Sequence, residues 1–298
     1  GWANLSGAVL GLIAVGLVLL MAGCGAPATI QRFETFATTG STYTQAVGAL
    51  IDDTSDLLID ADSAKLLENR QRAPVSPGDF KEQDDAMRQR VRDLRLLKRQ
   101  LDLLGQYFEA LGSFAAKDES QRIAGELDDL GNALSDVANA LDKGNTLIRD
   151  GELVGRIASK VGTTVAKGGH ARRLRQELED RGELIAKVLS QQSDLLKNLA
   201  QQAEEAQSTL MGRDYRDSVV RPFLSADPIP EDDWEEWMNT RRSALSQAPV
   251  PDSLSQAFDA AVSLRAAWTG LLANELGEDQ LQEVASQVAP LAASAPAD

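Results

Sequence analysis

LRQELEDRGELIAKVLSQQSDLLKNLAQQAEEAQSTL, residues 174–210, decides the fold. Leu178, Gly182, Ile185, Leu189, Gln192, Leu196, Leu199, Ala203, Ala206 and Leu210 recur in steps of three and four. That period places them on one face of an α-helix. The seam predicts one helix over 171–211, about 60 Å long at 1.5 Å rise per residue. Gln192 is its one polar member, and a single buried polar group fixes register at some cost in stability. Glu179 and Glu183 repel at i,i+4, whereas Glu183 and Lys187 attract.

The chain before this seam repeats the pattern. Residues 28–68 carry Phe33, Ala37, Gly40, Val47, Leu50, Leu57 and Ala61 at helical spacing, with Asp52, Asp53, Asp56 and Asp60 opposite. Those aspartates read as a solvated face, because a calcium loop needs turn geometry and a glycine that a helix lacks. Two prolines in 70–78 break the pattern. Asp79 and Glu82 then have the spacing of a capping box, with Asp in place of Ser or Thr. A second helix follows on Met87, Val91, Leu94, Leu101, Leu104, Phe108 and Leu111. It is locally basic at Arg88, Arg90, Arg92, Arg95, Lys98 and Arg99, cations expected to face the aspartate row of a neighbouring helix. A phosphate or lipid headgroup site is the sharper alternative. Ile123, Leu127, Leu130, Leu134, Val137 and Leu141 form a third seam with coiled-coil-like spacing.

Residues 146–167 mix Ile and Val with Gly151, Gly155 and Gly162 and read as a buried, tightly packed helix, with a mobile element as the alternative because glycine weakens a helix; their charged residues argue against a membrane span. His170, the one histidine, follows two glycines and reads as a helix-junction residue. Three prolines in 221–231 mark the clearest boundary, and shorter helical patterns follow at about 231–246, 252–275 and 278–288. Trp234 and Trp237 lie three apart in EDDWEEW. They form either a satellite core or an exposed hot spot for a partner, where tryptophan is enriched.

Composition narrows the function. A formal net charge of −15 argues against nucleic acid and against electrostatic attachment to anionic lipid. Only 5% of residues are aromatic, and Ala, Leu, Gln, Asp, Glu and Arg dominate, as in helical bundles. No phosphate-binding glycine loop, GxGxxG or GxSxG is present, and one histidine cannot supply the paired Glu-x-x-His motifs of a di-iron bundle. No cofactor, no metal and no catalytic residue is expected.

Residues 7–23, GAVLGLIAVGLVLLMAG, are uncharged and apolar and lead into Cys24, the single cysteine. Small residues closing such a run mark a signal-type segment. Ala22, Gly23 and Cys24 resemble the lipobox of bacterial lipoproteins, with Met21 where leucine is usual. The resemblance implies a lipid on Cys24 and a cell-envelope location facing the periplasm or exterior. Gly25, not Asp, implies outer-membrane sorting in a Gram-negative cell. Together with YFEALGSFA (107–115) and AKGGHARRLRQELEDRGELIAKVL (166–189), the pattern is similar to uncharacterised helical lipoproteins of bacteria; this resemblance carries no function.

The sequence therefore predicts an all-α chain: a signal segment (1–23), an extended, mainly antiparallel long-helix bundle (24–218), a smaller helical segment packed on or beside it (219–290) and a disordered tail (291–298). The expected role is a lipid-anchored binding or scaffolding module. Cys24 is its attachment point, and Trp234 and Trp237, or Arg88, Arg92 and Arg95, meet an envelope protein. The alternative is a signal-anchored sensor whose bundle binds a ligand; an enzyme is the remote third.

Overall fold

The computed structural model describes residues 27–116, 120–143, 146–147, 169–225, 227–246 and 250–294. The apolar segment with Cys24, the small-residue stretch from 148 to 167 and the tail beyond 294 lie outside them, as does the side chain of His170. Among the described residues the regular structure is helical with no strand. The helices are α1 (Pro27–Arg72), α2 (Pro77–Ala116), α3 (Ser120–Asp142), α4 (Gly169–Tyr215), α5 (Arg221–Leu224), α6 (Trp234–Ser246), α7 (Val250–Ala273) and α8 (Glu278–Ser294). None is long and apolar enough to cross a membrane.

Small residues set the α1–α2 seam. These helices run antiparallel, pairing Ala37 with Gly112, Gly40 with Phe108, Thr44 with Gly105 and Gly48 with Asp102. A methyl on Gly40 would stand 2.5 Å from the Phe108 ring. Glycine here is a packing requirement that outweighs its helix penalty of about 1 kcal/mol. The expected cation–aspartate pairing across this seam is made by Lys98 with Asp52.

α4 is the second axis of the bundle. Residues 185–193 are buried apart from the half-buried Lys187, because α1, α2, α3 and α7 all pack on α4. Tyr43 on α1 donates to Gln192 Oε1 at 3.2 Å, so the polar member of the long seam does meet a partner across the bundle. Gln100 on α2 donates to Gln191 Oε1 at 3.0 Å, and Gln191 donates to the carbonyl of Ala138 on α3 at 3.1 Å. Such bonds tie helices together in one register.

α3 and α4 run parallel, since Asp128 meets Arg181 while Asp142 meets Lys187. α1 and α4 are also parallel. The pairs α1–α2, α4–α7 and α7–α8 are antiparallel, so the bundle is mainly antiparallel.

The stretch after 218 divides. Residues 254–291 of α7 and α8 belong to the same continuous core as α1 to α4. Trp268 sits at its centre, fully buried, 5.5 Å from Phe36 and 6.4 Å from Phe108 between ring centroids, and donates from its indole to Gly182 O at 2.9 Å. α7 and α8 thus complete the bundle; only α5 and α6 lie to its side. The apolar steps Leu281, Val284, Val288 and Leu291 carry α8 through Pro290 to Ser294, so the first residues of the expected tail are helical. α7 ends in a Schellman turn: Asn274 at φ 58 places its N–H on Leu271 O, and Glu275 N–H reaches Gly270 O.

Candidate docking surface

Pro222 has no N–H to give to the turn before it. Directly upstream the chain widens into a π-turn, Arg216–Val220, which ends α4 and turns the backbone into α5. Val219 is buried there, and its carbonyl accepts the Trp237 indole N–H at 3.1 Å. Phe223 stacks on the Trp237 ring at 5.4 Å with 23° between planes. Trp234, one turn earlier on α6, donates to Ile229 O at 3.0 Å. Both indole N–H groups are therefore paired with backbone carbonyls.

What these anchors hold out is apolar. Phe223 is 65% exposed, Leu224 73%, Trp234 53%, Met238 50% and Leu245 60%. Scattered exposed apolar residues need no explanation, but a cluster on one short segment marks an interaction site. Trp237 is half-buried in the satellite contact with Phe223, while Trp234 faces solvent.

The patch lies at one end of the bundle. With Tyr43 level with Gln192, helical rise from Pro27 to Tyr43 and from Gln192 to Tyr215 separates the start of α1 from the end of α4 by about 60 Å. A groove of about 460 Å³ between α4 and α7, with Lys197, Glu204, Met211 and Phe258 in its lining, occupies the same half of the molecule.

Arg88, Arg92 and Arg95 are not brought to this patch: α2 makes no contact with α5 or α6. Arg88 is taken by Asp84 at 2.7 Å and Arg92 by Gln89 at 2.6 Å, both within α2; Arg95 is exposed. Cys24 precedes the described residues, three positions before α1 begins. Phe223, Leu224, Met238 and Leu245 are the surface members the sequence reading missed. Phe223 lay inside the proline-rich boundary, where an apolar residue among turn formers was the available signal.

A second polar constellation was also missed. Tyr107 on α2 donates to Glu177 Oε1 at 3.1 Å, and Arg181 pairs with Glu177 Oε2 and with Asp128 on α3. Burial pushes the Glu177 carboxyl up to about 7, with Asp180 acting in the same sense and the Tyr107 hydroxyl opposing. Burial, then the Glu177 charge, holds the Tyr107 phenol well above its ordinary value. No group of His, Cys, Asp and Glu among the described residues is arranged to hold a metal ion.

No protein-family model matches this chain, and none of the curated proteins or solved structures matches it either.

Proposed function

We propose that this chain is a lipid-anchored protein of the bacterial cell envelope that works as a docking module, with acyl chains on Cys24 holding the α1 end at a membrane and the α5–α6 patch meeting a protein partner. The carrying observation is the exposed cluster of Phe223, Leu224, Trp234 and Met238 around indoles whose N–H groups are paired with backbone carbonyls. Aromatic anchors of this kind dominate binding energy at interfaces. In this reading the bundle is a spacer that holds the patch about 60 Å from its tethered end. Two or three acyl chains, at ~0.8 kcal/mol per buried CH₂, make such a tether stable.

Two measurements test the two halves. Mass spectrometry of the mature protein from a bacterial envelope reads the N-terminus. An acylated peptide starting at Cys24 supports the tether, and an intact 1–30 peptide overturns it in favour of the signal-anchored sensor. Replacing Trp234 and Trp237 together by Ser should abolish partner capture in a crosslinking pull-down while the core, centred on Trp268, keeps its melting temperature. Unchanged capture refutes the interface.

A further inference from the structure

The charges around the patch specify what would dock there. Glu231, Asp232, Asp233, Glu235 and Glu236 are all exposed and flank Trp234 on both sides. One or two first-turn carboxylates suffice to stabilise a helix start. At 100° per residue these five fall within one arc of about 200° at the entry to α6, bordering the face of Trp234, Trp237 and Met238 without enclosing it. None of them is ion-paired among the described residues; the neighbouring Arg221 is taken by Asp217 at 3.0 Å, and Arg242 donates to Asn239 Oδ1 at 3.1 Å. The result is an exposed apolar set, Phe223, Trp234 and Met238, bordered by five carboxylates that make no ion pair among the described residues, with the exposed Arg241 two turns further along α6.

We propose, resting on the docking reading above, that this surface takes a cationic amphipathic segment of a partner protein: apolar side chains against Phe223, Trp234 and Met238, and lysines or arginines against the carboxylate rim. Complementary charge steers encounter and fixes register, while the apolar centre supplies the affinity. A second copy of this chain would bring the same carboxylates face to face, under the repulsion of a net charge of −15 on each. An anionic bilayer is disfavoured by the same sign of charge.

The test uses the full chain in a neutral detergent and a dye-labelled synthetic helical peptide of Lys and Leu, with Leu at i, i+3, i+4 and i+7, read by fluorescence anisotropy. A matched peptide of Glu and Leu keeps the apolar face and reverses the charge. The Lys/Leu peptide should bind at least about tenfold more tightly. Its affinity should drop by about tenfold as salt rises from about 0.01 M to about 0.15 M, over which the Debye length falls from ~30 to ~8 Å. Equal binding of the two peptides to the unaltered chain overturns the proposal whatever the variants do.

Converting the rim to amides (Glu231→Gln, Asp232→Asn, Asp233→Asn, Glu235→Gln, Glu236→Gln) should remove most of the salt dependence. The same number of changes at exposed sites elsewhere (Asp53→Asn, Asp56→Asn, Asp60→Asn, Asp129→Asn, Asp136→Asn) should leave it. Equal losses in both sets assign the attraction to net charge and overturn the proposal. If Phe223→Ser with Trp234→Ser abolishes binding while the rim amides change nothing, the docking surface stands and the cationic partner falls. If neither set changes binding, both fall. Self-association of the full chain that Trp234→Ser removes overturns the proposal in favour of a second copy.

Discussion

Stability should decline as pH rises from about 4.5 to 7.5, and Glu177 should be the cause. Its carboxyl is buried between α2 and α4 and titrates near 7 in the fold, against an ordinary 4.5. A raised folded value means that the folded state holds the proton more tightly than the unfolded chain does. The linked stability is fully present below about 4.5 and is lost as pH climbs through about 7. The full shift corresponds to at most about 3 kcal/mol. Arg181 on the second carboxylate oxygen and solvent at the rim of the site reduce this to about 1–2 kcal/mol. The expected fall in melting temperature is roughly 2–3 °C for a chain of this size. Glu177→Gln keeps an acceptor for Tyr107 and mimics the protonated acid, so it should match the parent near pH 4.5 and lose the slope above it. The assay is urea unfolding followed by circular dichroism across that range. His170 is the one histidine, so His170→Asn in both backgrounds removes the other side chain that ordinarily titrates there. A slope that survives Glu177→Gln, or a parent whose stability rises with pH, refutes the reasoning.

Three further outcomes follow from the packing. Gly40→Ala drives a methyl into the Phe108 ring, which is itself wedged against Phe36 and Trp268; chemical denaturation should report a loss of about 1–3 kcal/mol despite the better helix former. Trp268→Ala empties the centre of the core and should cost about 3–5 kcal/mol, with the loss of the buried tryptophan fluorescence. Asn274→Gly should raise stability by about 0.5–1 kcal/mol, because the residue closing α7 sits at φ 58, where glycine carries no Cβ penalty; calorimetry checks the sign.

Period alone carried most of the fold. The 3–4 spacing of residues 178–210 and 123–141 placed α4 and α3, and prolines marked the break between α1 and α2. The spacing could not reveal which helices are central. α1 and α4 are buried on several sides, and of the polar run Ser190-Gln191-Gln192-Ser193 the spacing singled out Gln192 alone, whereas Gln191 too is met across the bundle, by Gln100 and Ala138 O. Nor could it reveal that α7 and α8 share the main core, since Trp268 has the same local pattern whether it fills a satellite cluster or the centre. For the surface, Trp234 and Trp237 were legible as a pair, but the stacking of Phe223 depends on a π-turn beside Pro222, a backbone detail that no periodicity encodes. The Glu177 cluster joins residues seventy positions apart and has no local signature.

The claim that the α5–α6 patch is where this protein meets its partner is tested most directly by photocrosslinking in intact bacterial envelopes, with a photoreactive residue at Met238 and, separately, at the exposed Asp56 of α1, a helix that makes no contact with α5 or α6. The account predicts one discrete adduct from position 238, none from position 56, and loss of that adduct on Phe223→Ser with Trp234→Ser at unchanged melting temperature. Equal labelling from both positions, or an adduct at 238 that survives those two substitutions, would contradict it.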